Sequence, residues 1–446
     1  MNPSDGMVQS LNAIREMIVS ENAVYGADIP VITSNTTIGE YGTFINTPEV
    51  FNEWCDKLVK RIIYTGIKSK TFNNPLQDLE GEAMPLGYAG QEIYINPVKP
   101  RKFNVNDFAG LLRKYEADVK VEYTSVNADL QFPLTIQRDK MRSAFTSWAT
   151  LEDEITAQIN AIYNGAYIKR YELTKGLVSN AYKDNAVQIK TVTNVTTEAT
   201  GKAFIKQVRK DALNFKSPSS AYNAWAKVGG YGNAIVTWSD VNDIYFLVRN
   251  DILAEVDVDV LAEAFNMDKV SFMGKVIGVD DFSLYADDGE KVVDGSKILG
   301  ILADRAWFRI RTQEFTMESD FYNSNNRTRQ YYLNDVRMYN YSRFANAVVY
   351  ATEMPTVPAS SASFVNTEVT VEEDATVKVP LSVIPFQATV TPVYSSSAEG
   401  KATVEADSNN PRIAVITGVD DGSATITATL GTVTATVSVT VTAKSA

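Results

Sequence analysis

The residues best placed to do chemistry in this sequence are carboxylates in an alternating run. Glu255, Asp257 and Asp259 alternate with valines, and such a pattern could supply the oxygen ligands that calcium requires. The loop glycine and the distal glutamate of an EF-hand are missing at the required positions. The sequence therefore favours a structural role, in which Asp257 and Asp259 cap the following helix near its positive end.

A second acidic run and two glycine-containing runs also suggest sites. Glu152-Asp153-Glu154 could belong to a glycosidase, which needs two carboxyl groups facing each other across a sugar. Adjacent residues of a helix point in different directions, so we predict that this run lies on a solvated face. Gly229-Gly230-Tyr231-Gly232 and Gly274-Lys275 lack the spacing of a phosphate-binding loop and are predicted to be turns.

The sequence lacks histidine, the side chain that acts most readily as a base near neutral pH. None of the 446 residues is a histidine, which excludes Ser-His-Asp triads, histidine-ligated zinc sites and imidazole bases. The single cysteine, Cys55, excludes an intramolecular disulfide and is predicted to be a half-buried small apolar residue. We therefore predict no catalytic residue, no metal site and no cofactor.

The charge balance argues against a surface that grips nucleic acid. The net charge is -12, whereas nucleic-acid binding depends on Lys and Arg that neutralise phosphates. One cluster nevertheless mixes arginine with tyrosine: Arg327, Arg329, Arg337, Tyr331, Tyr332, Tyr339 and Tyr341. Such a cluster could stack on nucleic acid or lie in a subunit interface, where both residue types are enriched. The acidic balance favours the interface.

Composition places the chain among globular proteins. Hydrophobic residues make up 45% and charged residues 22% of the sequence, and no stretch approaches the roughly 20 apolar residues of a membrane span. The opening residues, 1–6, lack the basic and apolar regions of a secretory signal. We expect synthesis and folding in the cytosol, and no contact with a membrane.

The first 355 or so residues are predicted to form helices and strands in mixed order, and these elements must position the candidate residues named above. A long amphipathic helix is predicted over about 139–171 from apolar residues at spacings of three and four: Met141, Phe145, Trp148, Leu151, Ile155, Ile159, Ile162 and Ala166. Ahead of it, residues 72–133 are rich in charge and proline and include the alternating run 119–123, which predicts a long hairpin or arm. Shorter helices are predicted over 202–215 and 260–266. No βαβ alternation is long enough for a doubly wound sheet, so the class is α+β.

The composition changes after Pro358, where aromatic residues nearly vanish and Val, Thr, Ala and Ser dominate. Turn residues bound short predicted strands at 369–371, 376–381, 388–393, 402–404, 412–416, 424–430 and 432–442. In the last run, which follows the turn at Gly431, valines and one alanine alternate with threonines and one serine. Strict alternation favours a β-sandwich over the competing interpretation, a disordered Ser/Thr stalk.

Several short runs of this C-terminal region carry a resemblance: Val383-Ile384-Pro385, Tyr394-Ser395-Ser396-Ser397, Ala402-Thr403-Val404, Gly418 and Gly422-Ser423-Ala424-Thr425-Ile426-Thr427-Ala428. They resemble the bacterial Ig-like domain of group 2. That family usually has Trp where Tyr394 stands. The resemblance implies a surface-displayed binding or spacer module over residues 356–446.

The N-terminal part contains eight further runs that carry a resemblance: Asn73-Asn74-Pro75-Leu76, Pro85-Leu86-Gly87, Glu92-Ile93-Tyr94, Ser147-Trp148, Ile159-Asn160-Ala161-Ile162-Tyr163-Asn164, Val256-Asp257-Val258-Asp259-Val260-Leu261-Ala262, Ala264-Phe265-Asn266-Met267 and Ser342-Arg343-Phe344-Ala345-Asn346-Ala347-Val348. These runs resemble the major capsid proteins of phi29-like small podophages. They keep their order along the chain, and that family also ends in a group 2 Ig-like domain.

The resemblance implies the Hong Kong 97 (HK-97) type tailed-phage capsid fold, followed by an all-β immunoglobulin-like sandwich. Residues 1–60 would be an N-terminal arm and 61–355 the capsid fold proper. Within the latter, the extended loop would cover about 70–130, the spine helix about 139–171 and the axial domain about 175–330, with the remainder in the peripheral domain.

The implied function is that of a shell subunit and not of an enzyme. Its partners would be further copies in hexameric and pentameric capsomers, a scaffolding protein and a portal or connector, around double-stranded DNA held without sequence-specific binding. Candidate subunit-interface residues are Asn74, Pro75, Tyr94, Lys102, Arg113, Tyr123, Arg327, Arg329, Tyr331 and Tyr339. Two alternatives stay open: another virion subunit, such as a tail, fibre or adhesin protein, and a carboxylate-based hydrolase at Glu152 or Asp153.

Overall fold

The computed structural model describes residues 5–65, 72–85, 87, 89–100, 114, 116–227, 234–255, 275–286, 290–320 and 323–444. The α-helices are α1 (Asp5–Glu21), α2 (Ala23–Ala27), α3 (Ile38–Tyr41), α4 (Pro48–Thr65), α5 (Arg138–Ala144), α6 (Trp148–Lys183), α7 (Glu198–Phe215) and α8 (Asn250–Glu255). Short 3-10 turns lie at Gly42–Asn46, Gln77–Leu79, Ala224–Lys227, Val241–Asp243 and Arg305–Trp307. No helix in these ranges is long and apolar enough to cross a membrane.

Within the described ranges, twelve strands precede the C-terminal region and eight lie within it. The first twelve are β1 (Gly90–Ile95), β2 (Val119–Thr124), β3 (Ala128–Gln137), β4 (Gln188–Thr191), β5 (Ile244–Arg249), β6 (Val276–Val279), β7 (Leu284–Tyr285), β8 (Lys291–Val293), β9 (Ile298–Asp304), β10 (Phe308–Ser319), β11 (Thr328–Tyr341) and β12 (Ala347–Ala351). The others are β13 (Ser361–Phe364), β14 (Glu368–Glu372), β15 (Thr376–Ile384), β16 (Val393–Ser396), β17 (Ala402–Ala406), β18 (Ile413–Gly418), β19 (Gly422–Leu430) and β20 (Val433–Thr442).

The chain divides into two compact units. The first holds Met1–Gln91, Tyr123–Thr174 and Arg309–Asn340, and the second holds Glu92–Glu122, Lys175–Phe308 and Tyr341–Ala446. Each unit draws on segments that are distant in sequence. The mixture of helices and strands confirms the α+β class.

Helices build the N-terminal part of the first unit, where the resemblance implies an arm over residues 1–60. Helix α1 buries Met7, Leu11, Ile14 and Ile18, whose spacings of three and four place them on one side of the helix. An aromatic cluster adds to the same core: Tyr41, Phe44, Phe51, Trp54, Phe145 and Trp148. At its centre the indole nitrogen of Trp54 donates to the Tyr41 hydroxyl at 2.8 Å. These helices therefore pack within their own unit, and the assignment of residues 1–60 as an N-terminal arm stays a prediction.

The helix predicted over 139–171 is two helices, α5 and α6, with a break at residues 145–147. Hydrophobic spacing continues through the break, but a capping box starts a new helix at Ser147. The Thr150 amide donates to Ser147 Oγ at 3.2 Å, and the Ser147 amide donates to Thr150 Oγ1 at 3.1 Å. The hydrophobic periodicity alone does not show that one helix ends and another begins here.

Helix α6 continues twelve residues beyond the predicted end, because Leu177, Val178 and Ala181 keep the helical apolar spacing and are buried. At its 36 residues it is about 54 Å long at 1.5 Å per residue. It ends where Asn185 adopts a left-handed conformation with φ of 51°. The amides of Asn185 and Ala186 then donate to the Tyr182 and Ala181 carbonyls, as in a Schellman-type ending.

The sheet of the first unit has the strand order β10-β11-β3. Strands β11 and β3 are antiparallel, with Thr328 opposite Gln137 and Arg337 opposite Ala128. Side chains alternate between the faces of a strand, so the odd-numbered residues from Tyr331 to Tyr339 share one face. That face is buried at each of these positions.

A five-stranded mixed sheet, in the order β4-β12-β9-β5-β6, forms the centre of the second unit. Helix α7 covers one face through Phe204, Val208 and Phe215, which pack with Phe246 and Tyr350 of the sheet. The helix begins four residues earlier than predicted, since Thr197 and Thr200 form a capping box. The predicted helix over 260–266, the run 256–259 and the glycine runs at 229–232 and 274 lie outside the described residues.

The C-terminal region is a sandwich of two four-stranded sheets, β13-β15-β18-β17 and β14-β20-β19-β16. Its core contains alternate residues of β20, namely Ala435, Val437, Val439 and Val441, as the sequence pattern predicts. The prediction of a strand at 388–393 is wrong. The Arg412 guanidinium donates hydrogen bonds to the Phe386 and Ala388 carbonyls, in place of the ladder of hydrogen bonds that a neighbouring strand would make. Strand β13 was not predicted, because Ser361-Ala362-Ser363 carries no β-branched signal.

Candidate subunit interface

The hairpin of β1 and β2 presents its apolar side chains to solvent. Ile93 and Ile95 on β1 are 56% and 59% exposed, and Val119, Val121 and Tyr123 on β2 are 46%, 42% and 74% exposed. Alternate residues of a strand share a face, so these side chains form one continuous outward face. We call these five residues the apolar hairpin face.

The opposite face of the hairpin is polar, and its residues Glu92, Tyr94 and Glu122 bond to other segments of the second unit, to which they belong. Tyr94 donates its hydroxyl proton to the Val236 carbonyl at 2.6 Å, and Ser342 donates to Glu92 at 2.8 Å. Glu122 pairs with Arg343 at 3.3 Å. The usual arrangement, with apolar residues inward, is therefore reversed in this hairpin.

Electrostatics fix the hairpin where its two strands diverge. The Asn96 amide donates to the Asp118 carboxylate at 2.7 Å and to the Ala234 carbonyl at 3.2 Å. Hydrogen bonds from Asn96, and then from Lys120, hold the pKa of Asp118 below its ordinary value. Because the polar face is tied down in this way, the apolar hairpin face cannot turn inward without breaking these bonds.

The predicted interface residues divide by burial. Tyr123 and Pro75 are exposed, whereas Tyr94 is half-buried with its hydroxyl used inside the second unit. Arg327 is exposed and pairs with Asp139 at 3.1 Å, and Arg329 lies 3.4 Å from Asp56. Lys102 and Arg113 lie outside the described residues.

Three of the predicted interface residues are buried by the first unit itself. Tyr331 and Tyr339 are 1% and 4% exposed, because their odd-numbered positions put them on the inner face of β11. Asn74 is 6% exposed, and its side-chain oxygen accepts the Leu76 amide at 3.0 Å. Their burial corrects the prediction that these three side chains face a neighbour.

A buried ionic network, not predicted from the sequence, lies behind β11. Asp335 accepts hydrogen bonds from Arg170 of α6 at 2.8 Å and from Arg337 at 2.7 Å. Arg337 also reaches Glu80 at 2.7 Å, and the Arg170 guanidinium lies 4.3 Å from the centre of the Phe315 ring. The only sequence signal is the strand alternation that puts Asp335 and Arg337 in phase with Tyr331 and Tyr339.

In the acidic run predicted to lie on a solvated face, Asp153 is exposed. Glu154 is half-buried, pairs with Lys140 at 3.0 Å and accepts from Gln158 at 3.0 Å. Among the described residues, no three acidic or thiol side chains are grouped so that they could hold a metal ion. Cys55 is buried, and burial raises the pKa of its thiol.

Comparison with known proteins matches both parts of the chain. The Phi29-like phage major capsid protein family matches residues 11–351, and the group 2 bacterial Ig-like domain matches residues 358–441. The major capsid protein of Bacillus phage B103 is 32% identical over 348 residues, 77% of this chain and 72% of the relative. That of Bacillus phage PZA is 28% identical over 357 residues, 79% of this chain and 75% of the relative.

Among solved structures, the capsid of Staphylococcus phage Andhra aligns with a TM-score of 0.52 at 15% identity, covering 64% of this chain and 86% of that chain. This likeness supports the fold, the HK-97 type predicted for the N-terminal part. The chain therefore belongs to the phi29-like phage major capsid protein family, and it carries a group 2 bacterial Ig-like domain after its capsid fold.

Proposed function

We propose that copies of this major capsid protein form hexamers and pentamers that close into an icosahedral or prolate shell around double-stranded DNA. The observation that carries the proposal is the apolar hairpin face. A subunit that worked alone would leave this face exposed to water, where its large apolar side chains contribute no free energy of burial. In a shell, a neighbouring copy covers it.

Each contact between two subunits stabilises the shell only modestly, but a closed shell contains many such contacts. Covering a side chain such as Val or Ile contributes about 1.5–3 kcal/mol at most, before the cost of ordering the partners. A subunit that already touches one neighbour meets the next at high effective concentration. Weak contacts therefore suffice for a stable closed particle.

We assign the interface to the apolar hairpin face together with the exposed candidates Pro75 and Arg327 and the half-buried Arg329. Tyr94 holds the opposite face of the hairpin. We propose Lys102 and Arg113, which lie outside the described residues, as further interface residues. The remaining layout is proposed as the family implies it. It has an N-terminal arm over 1–60, the capsid fold over 61–355, with a spine formed by α5 and α6 and an axial domain over about 175–330, and the Ig-like domain over 356–446.

The proposed partners are further copies of the chain, a scaffolding protein during assembly in the bacterial cytoplasm, and a portal or connector. The net charge of -12 supports a subunit that encloses DNA without sequence-specific binding. We propose that the protein has no enzymatic activity, a view supported by its lack of histidine. A tail, fibre or adhesin role is set aside because the capsid family matches most of the chain.

The test is assembly of the full chain expressed with the assembly proteins of its own phage. Electron microscopy should detect closed shells, whereas rods or dispersed monomers would contradict the proposal. Changing Val121 and Tyr123 to Ser should reduce the yield of shells while the subunit stays folded, because both side chains point outward. The matched control changes the exposed Val365 and Val393 of the Ig-like domain to Ser and should assemble normally.

A further inference from the structure

The outward face of α7 concentrates positive charge on an acidic protein. Residues 199–216 include five lysines and arginines and a single acid, whereas the whole chain has 42 lysines and arginines against 54 acids. Four of these cations are exposed, and spacings of three, four and seven residues bring them to one side of the helix: Lys206, Arg209, Lys210 and Lys216. We call these four residues the basic stripe.

The charges of the basic stripe are not neutralised within the subunit. None of the four side chains makes an ion pair with another residue in the part of the chain that the structure describes. The acid of this segment, Asp211, is fully buried and accepts hydrogen bonds from Tyr350 at 2.8 Å and from Gln207 at 3.0 Å. Because like charges one turn apart on a helix repel each other, the approach of an anionic partner to the stripe is favourable.

Helix α7 is held so that the basic stripe faces outward. Phe204, Val208 and Phe215 on its opposite side pack on the five-stranded sheet. Thr197 caps the first turn, and the Phe215 carbonyl at the other end accepts the Ser239 amide at 2.8 Å. The stripe is therefore presented by an element that is already ordered, and a partner does not have to order it.

The two amide side chains of α7 are used inside the subunit. Asn and Gln are the side chains that read adenine by paired hydrogen bonds, but here Gln207 donates to Asp211 and Asn214 donates to the Tyr222 hydroxyl at 2.8 Å. The outward face of the helix consequently offers cations in place of amides. Cations contact phosphates, and such contacts position a protein on DNA without reading its sequence.

We propose that the basic stripe contacts the phosphates of the enclosed double-stranded DNA, with this face of α7 toward the inside of the shell. From Lys206 to Lys216 the helix rises about 15 Å at 1.5 Å per residue. A duplex carries roughly nine negative charges over that length, so the four cations meet an excess of phosphate. The acidic balance of the whole chain keeps the contact weak and dependent on salt. The inference rests on the proposed shell and names the surface that faces its contents.

The test is the binding of a short labelled DNA duplex to the unassembled full chain, measured by fluorescence anisotropy at several salt concentrations. The stripe variant combines Lys206→Gln, Arg209→Gln and Lys210→Gln, and it should bind the duplex about ten-fold more weakly at low salt. Its plot of log affinity against log salt should be shallower by about 3, since each phosphate contact contributes about 0.9 to that slope.

The matched control combines Lys378→Gln, Lys401→Gln and Lys444→Gln. It has the same net charge as the stripe variant, but it removes exposed cations that already pair with acids of the Ig-like domain. The control should bind the duplex as the wild-type chain does. Circular dichroism should report a folded subunit in both variants.

An affinity and a salt slope unchanged in the stripe variant would overturn the proposal, as would a wild-type chain that does not bind the duplex at low salt. Shell formation with the assembly proteins of the phage is measured in parallel and should stay normal in the stripe variant. Loss of its shells would also overturn the proposal, because a protein partner would then cover the stripe. Failure of the wild-type chain to form shells would instead reject the proposed function.

Leu213 offers a second test if the stripe variant does not fold. This side chain is 47% exposed and lies between Arg209 and Lys216 on the same side of the helix. Leu213→Glu places an anion within the stripe and should weaken binding of the duplex, whereas the uncharged Leu213→Gln should bind as the wild-type chain does. Equal binding by these two variants would reject the contact.

Discussion

At the scale of single residues, the first unit depends on charges that are removed from water. Asp335 is 1% exposed and serves two arginines, Arg170 and Arg337. A buried charge is tolerated only when it is paired and hydrogen-bonded. Because these buried charges must be paired with one another, the network fixes the position of α6 against β11. Apolar packing does not require such specific pairs.

We predict that Asp335→Ala lowers the free energy of unfolding of the unassembled subunit by about 3–5 kcal/mol, because two arginines are left without their shared carboxylate. Urea denaturation measures the change. The control is Asp139→Ala, which removes the exposed partner of Arg327 and should cost less than about 1 kcal/mol. Equal effects of the two substitutions would contradict this account of the network.

Tyr331 predicts how stability responds to alkaline pH. Burial raises the pKa of its hydroxyl well above the ordinary value, and the hydroxyl has no hydrogen-bond partner among the described residues. A raised pKa in the folded state means that the stabilisation is complete below the unfolded-state pKa of about 10. It is lost progressively as the pH rises above that value.

Tyr331→Phe should therefore leave stability at pH 7 unchanged or slightly higher, and should reduce the loss of unfolding free energy between about pH 9 and 11. Denaturation of the unassembled subunit at several pH values measures both effects. Tyr123→Phe, at an exposed position, serves as the control. A steeper alkaline loss in Tyr331→Phe would contradict the assignment.

At the scale of elements, alternation and periodicity predicted most of the strands of the sandwich and the existence of the long helix. They failed where a side chain hydrogen-bonds to the backbone. The Ser147 cap separates α5 from α6, and Arg412 binds backbone carbonyls where a strand was predicted. The apolar hairpin face shows a different limit. The alternation at 119–123 predicts a strand, but which side faces the subunit is decided by partners such as Val236 and Arg343, which are distant in sequence.

Ser147→Ala should lower the free energy of unfolding by about 1 kcal/mol, because the first turn of α6 loses its cap. Thermal unfolding of the unassembled subunit detects such a change. Ser143→Ala is a matched control, since its hydroxyl donates only to the Lys140 carbonyl in the preceding turn. A melting temperature unchanged by Ser147→Ala would mean that α5 and α6 behave as one helix.

At the scale of the whole molecule, the Ig-like domain has its own hydrophobic core. Its core residues run from Phe364 to Val441, and none of the described strands β1 to β12 belongs to its two sheets. A tie to the rest of the second unit is the Asn185 amide, which donates to the Gln387 carbonyl at 2.8 Å. The composition change after Pro358 was enough to predict the separate domain, whereas this tie joins residues too distant for any sequence pattern.

A chain shortened to residues 1–355 should consequently still fold and still form shells with its phage's assembly proteins. Sedimentation and electron microscopy of the shortened chain beside the full chain measure this. Exchanging Asn185 for Ala in the full chain is the companion variant, and it should leave assembly intact. Loss of shells on truncation alone would mean that the Ig-like domain contributes to subunit contacts.

The most direct measurement is a near-atomic reconstruction of the assembled shell by electron cryomicroscopy. The account predicts that Ile93, Ile95, Val121 and Tyr123 of each copy lie within about 4.5 Å of apolar atoms of a neighbouring copy. A shell in which these side chains still face solvent in every copy would contradict the central claim, that the outward apolar face of the hairpin exists to be covered by the next subunit.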